Sequence, residues 1–183
     1  MGAKSKTGEF GKLRSTLLKR QPAQLVQIIG ELYRLSRENQ RFLEARLDQP
    51  KKQLPVYRQL VAECLYPDPL GRQTKIRIAE AKRAISQYER AARDITGAAD
   101  LMLTFVERGT AYALDLGYGD EGLFSSLAAM LSRVLDARHR GSEELRRSIE
   151  PRLIRLSSSA RTIGWGYGDF VEDAITEALE SDE

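Results

Sequence analysis

Leu123, Phe124, Leu127, Ala128, Leu131, Val134 and Leu135 recur at steps of three and four, the spacing that gathers side chains on one face of an α-helix. The same step runs through Leu25, Ile28, Ile29, Leu32 and Leu35, and again through Leu54, Tyr57, Leu60, Val61, Cys64 and Leu65. It returns in Ile78, Ala81, Ile85, Tyr88 and Ala92. Nowhere do β-branched residues alternate with polar ones over a useful length, so strands are excluded. The chain is therefore expected to be all-α, with about eight or nine helices. Short joints predict antiparallel helical hairpins, forming a bundle or a short helical-repeat array of the HEAT type. Residues 95–116 are apolar nearly all round, which marks a central helix.

The joints carry their own signals. Pro22 suits the first turn of one helix, Ser36 caps a continuation carrying Phe42 and Leu43, and Pro67-Asp68-Pro69 is a firm stop. Gly141-Ser142 ends the helix begun near Leu123 and recaps, and Pro151 predicts the start of a further helix. Most distinctive are Gly117-Tyr118-Gly119-Asp120 and, 49 residues on, Gly164-Trp165-Gly166-Tyr167-Gly168-Asp169. Gly117 and Gly164 suit the left-handed position just past a helix, and Asp120 and Asp169 the N-cap of the next. Glu172 would complete a capping box with Asp169. Tyr118, Trp165 and Tyr167 are expected to lie flat across helix junctions with their polar tips outward. These are structural turns, and a phosphate site is disfavoured because an aspartate occupies each cap.

At 183 residues the chain is one domain, expected over 13–183 behind a disordered basic tail at 1–12. The single cysteine, Cys64, excludes an internal disulfide and a thiolate metal cluster. No apolar run reaches membrane-spanning length and no signal-peptide core opens the chain, so a cytoplasmic protein with no membrane partner is expected. The net charge of +3 hides a polarity. Residues 1–94 hold 20 Lys and Arg against 10 Asp and Glu, whereas residues 95–183 hold 9 against 16. Such a chain can steer its basic half toward phosphate or an acidic protein surface, or associate head to tail with itself.

Lys75, Lys82, Arg83, Arg90 and Arg93 fall within about a quarter turn of one another if residues 75–93 are helical, a candidate basic face for a nucleic-acid backbone. The competing reading is a solvated face, partly paired with carboxylates. Tyr88 points to the apolar side, which disfavours stacking on bases. Asp100, Glu107 and Asp115 lie on the otherwise apolar central helix. Asp100 and Glu107, seven apart, share a face and would suit a cation or an acid–base pair, although a narrow polar stripe explains them as well. His139, between Arg138 and Arg140, complements a helix C-terminus, Cys64 sits on an apolar stripe, and Ser157-Ser158-Ser159 has no base nearby in sequence. No metal or cofactor motif is present.

Several segments together resemble a family of small, uncharacterised bacterial proteins. They are Leu25 to Leu47 with Glu31-Leu32-Tyr33, the run Lys75-Ile-Arg-Ile-Ala-Glu-Ala-Lys-Arg-Ala-Ile, Asp100-Leu-Met-Leu, and Ile163-Gly-Trp-Gly-Tyr-Gly-Asp. The resemblance covers most of residues 13–180 and implies no activity, cofactor or site, because the family is a domain of unknown function. The sequence thus predicts an interaction module without catalytic activity. Its leading expectation is nonspecific contact with a nucleic-acid backbone through the basic half. The alternatives are a protein adaptor or self-associating subunit using opposed charges and, third, a hydrolase using Asp100 and Glu107.

Overall fold

A computed structural model of the protein describes residues 6–47, 50–68, 70–71, 75–117 and 119–180. Among the described residues there are nine α-helices and no strand. They are α1 (Lys6–Leu17), α2 (Pro22–Leu35), α3 (Arg37–Leu47), α4 (Pro50–Leu65), α5 (Ile78–Ala92), α6 (Ile95–Leu116), α7 (Glu121–Arg140), α8 (Glu143–Ala160) and α9 (Tyr167–Glu180). The all-α class follows, as the periodicity requires. The backbone divides into two compact units, Met1–Leu43 and Glu44–Glu183, where a single domain was expected.

The first unit holds α1, α2 and the start of α3. It has no core of its own, since no described side chain up to Leu43 is buried. The expected boundary at residue 12 coincides with no break, because α1 runs from Lys6 straight through it. Glu9 in its first turn and Arg14 in its last complement the helix dipole, a local term that composition does not register. Residues 1–5 of the expected tail lie outside the described residues. Pro22 does open α2, where the Gln24 side chain accepts from the Gln21 N–H at 3.2 Å. Ser36 ends α2 and caps α3, its Oγ accepting from the Asn39 N–H at 3.1 Å.

The second unit is built around α6, which packs against α4, α5, α7 and α8, while α7 and α8 also pack on α9. The sequence of α6 explains its position: Leu101, Met102, Leu103, Phe105 and Val106 are consecutive or nearly so and all buried. A helix apolar all round is stable only when covered on several sides. Tyr57 of α4 meets Tyr88 of α5 edge to face at 5.3 Å, and Cys64 is fully buried as its stripe predicts. α5 starts at Ile78 and not at Lys75, because the Arg77 N–H donates to the Cys64 carbonyl at 2.8 Å and holds the entering chain out of the helix. Pro151 starts nothing: it lies inside α8, on its exposed side. Asp94, Asp120 and Ser142 cap α6, α7 and α8 by accepting from the N–H groups of Gly97, Leu123 and Leu145. Among the described residues no helix is long and apolar enough to cross a membrane.

Candidate functional site

Of the five cations of the expected basic face, Lys82, Arg83 and Arg90 lie on α5 itself. Lys75 precedes α5 and Arg93 follows it, the latter in the left-handed region at φ 53° with its N–H donating to the Glu89 carbonyl. Lys82 donates from Nζ to Ser126 Oγ on α7 at 2.9 Å. Lys75, Arg83, Arg90 and Arg93 are exposed. The 100° step holds only while the backbone is helical, so it applies within α5 and not to Lys75 or Arg93.

The carboxylates of α6 are tied to arginines. Arg152 of α8 reaches Glu107 through Nε at 2.9 Å and Nη2 at 2.6 Å, and Asp100 through Nη1 at 2.7 Å. Arg58 of α4 takes the other Asp100 oxygen at 2.8 Å, and Thr104 Oγ1 accepts from Arg152 at 3.1 Å. Burial works against the Arg152 charge, but the bonds and charges of Glu107 and Asp100 outweigh it and raise its pKa. Asp115 instead accepts from the Tyr66 hydroxyl at 2.8 Å, a bond that raises the Tyr66 pKa. These contacts form an ion-pair clasp joining α4, α6 and α8, forked at Glu107 and shared between two arginines at Asp100. Among the described residues no group of three His, Cys, Asp or Glu could hold a metal ion.

The two glycine-rich turns meet in space, at Phe124. In the first, Gly117 takes the expected left-handed conformation at φ 59°, and Asp120 Oδ1 accepts from the Leu123 N–H at 2.7 Å. A Cβ on Gly119 would enter the Phe124 ring. Tyr118 lies outside the described residues. In the second turn Tyr167 packs on the same Phe124 ring with centroids 5.1 Å apart. Its hydroxyl is paired with Thr110 Oγ1 at 2.7 Å, so the polar tip points inward and not to solvent as expected. Tyr167 is 3% exposed, and burial pushes its pKa up to about 12 against the opposing effect of the Thr110 bond.

The second turn departs from the first in three further ways. The left-handed residues are Trp165 at φ 62° and Gly166 at φ 69°, not Gly164. α9 begins at Tyr167, so Asp169 lies inside its first turn and is not the N-cap. Glu172 consequently completes no capping box and pairs with Arg161 at 2.6 Å. Gly168 packs so closely that a Cβ would sit 2.7 Å from the Ala160 carbonyl oxygen and 2.8 Å from that of Ile163.

Trp165, expected across a junction, is 83% exposed. Beside it runs a groove of about 210 Å³ lined by Phe124, Ala128, Tyr167, Phe170, Ser125 and Glu121. An indole held outside the core by strained, glycine-flanked backbone has no packing reason for its position. The walls are mostly aromatic and aliphatic, with Ser125 and Glu121 among them, so the groove can bind an apolar side chain. A second cleft of about 550 Å³ is lined by Ala98, Met102 and Ala137 and by charged residues that include the exposed Arg93, and most of those charges are engaged. There Arg133 pairs with Glu89 at 2.6 Å, Arg140 with Asp136 at 3.3 Å, and Asp94 caps α6.

The remaining candidates are structural. His139 is exposed in the last turn of α7, and Ser158 and Ser159 bond back to the carbonyls of Ile154 and Arg155. Sequence reasoning missed Arg138 and Arg152. Arg138 is buried and donates to the Ala178 carbonyl at 2.7 Å, binding α7 to the end of α9. Nothing local distinguishes either arginine from its exposed neighbours. Comparison with protein-family models, with curated proteins and with solved structures finds no match for this chain.

Proposed function

We propose that this protein is a non-enzymatic helical interaction module that docks the apolar face of a partner helix in the groove beside Trp165. The observation that carries this reading is Trp165 itself, 83% exposed and left-handed at φ 62° next to an aromatic groove. Tryptophan dominates the energetics of many protein interfaces, because a large rigid ring loses little entropy on contact. The acidic composition of α9, with Asp169, Glu172, Asp173, Glu177 and Glu180 and no Lys or Arg, supports a basic partner. The arginine clasp on Asp100 and Glu107 supports a non-catalytic role for both. A phosphate-directed contact through the basic half is the second reading: Lys75, Arg83, Arg90 and Arg93 are exposed, while Lys82 is engaged with Ser126.

Trp165 is the sole tryptophan, so its emission reports on the groove directly. Titration with a synthetic helical peptide bearing a Leu/Ile face and Lys/Arg flanks is expected to shift that emission to the blue. The same peptide with serines on its apolar face is expected to leave it unchanged, and Phe170→Ala to weaken the complex about tenfold. An emission maximum indifferent to all peptides up to millimolar concentration would overturn the reading.

A further inference from the structure

We infer that the occupant of the Trp165 groove is helix α2 of a second copy of this chain, so that copies associate head to tail. The inference rests on the groove being a protein-docking site. α2 carries Leu25, Ile28, Ile29, Leu32 and Leu35 at helical spacing, and none of its residues is buried. A helix of 14 residues is marginal in water without a surface to pack on. The first unit supplies no such surface, because none of its described side chains is buried. α2 thus offers an apolar face none of whose residues is fully buried, and the groove offers an apolar seat.

Charge selects the second copy. Residues 1–43 carry nine Lys and Arg and three Glu, a net of +6. The groove opens at the start of α9, whose 14 residues carry a net of −5, and Glu121 stands at its edge. A basic element with an uncovered apolar helix therefore matches an acidic element with an apolar seat. Opposed potentials of this kind accelerate and orient docking, and an amphipathic helix laid in a groove is a common mode of recognition. The two surfaces are different, so the contact is heterologous. Each copy keeps one surface of each kind available, and association proceeds to rings or open chains.

The test uses the full chain and three proteins: wild type, the double variant Ile29→Asp/Leu32→Asp, and Trp165→Ala, with helicity checked by circular dichroism. Sedimentation velocity is run from micromolar to several hundred micromolar, at low and at physiological salt. The wild type is expected to rise from the 20.6 kDa of one chain to at least twice that mass, with about tenfold weaker association at the higher salt. Each variant alone is expected to stay monomeric. An equimolar mixture of the two variants is expected to give a two-chain species, because each retains the surface the other has lost. A wild type that stays monomeric throughout overturns the inference, as does a Trp165→Ala protein that associates like wild type, which would mean that α2 pairs with itself. The peptide titration separates the two failures. A monomeric wild type whose Trp165 emission still responds to a basic amphipathic peptide retains the docking groove and loses only the self-association; no response loses both.

Discussion

Trp165 lies in a backbone region that disfavours every side chain, and it gains no buried contact in return. A non-glycine residue there costs about 1–2 kcal/mol. Trp165→Gly is therefore expected to raise the unfolding free energy by up to about 1 kcal/mol while weakening helix docking, which thermal denaturation and the peptide titration read separately. Two residues further on, Tyr167 is governed by the opposite logic. Its folded pKa is raised above the ordinary value of 10.0 to about 12, so its stabilising contribution is complete below pH 10 and is lost as pH climbs toward 12. The loss amounts to roughly 2–3 kcal/mol. Denaturant melts across that window are expected to fall less steeply for Tyr167→Phe, which starts about 1 kcal/mol less stable for want of the Thr110 bond. Both residues look alike in the sequence, an aromatic between glycines. They differ in placement: Trp165 precedes α9 and is exposed, whereas Tyr167 is its first residue and is buried.

Among the elements, α6 is the most legible and α5 the most misleading. The bounds of α6 follow from its all-round apolarity and its terminal glycine, and they match residues 95–116. The polar residues on it become intelligible only with α4 and α8 in place. Arg152 sits 45 residues from Glu107 and 52 from Asp100, so no local pattern announces the clasp. Arg152→Ala is expected to cost about 1–3 kcal/mol by chemical denaturation, because it removes the cation that Asp100 and Glu107 share and leaves Arg58 on Asp100. Arg152→Lys is expected to recover less than half of that, since an ammonium cannot reproduce the forked contact. For α5, composition favoured a longer helix than the backbone forms, and the candidate basic face depended on its last turn at each end.

The molecule as a whole distributes its stability unevenly. Among the described residues every buried side chain lies in Glu44–Glu183, while Phe10, Leu13 and Leu18 of the first unit are exposed. Elements with little burial open at low free energy. Dilute protein under limited trypsin digestion is expected to be cut first between Lys12 and Arg41, leaving a resistant fragment that begins near Glu44, as mass spectrometry of the first products would record. Concentrated protein is expected to resist those cuts if α2 is covered by a second copy. Helical class, the central position of α6 and the caps at Ser36, Asp120 and Ser142 were determined by the sequence alone, because each depends on spacing within one or two turns. Tertiary structure decided which cations share a face, which carboxylates are clasped and which aromatic of the second turn is buried. Those outcomes depend on backbone carbonyls and arginines brought together from distant parts of the chain, and no local period encodes them.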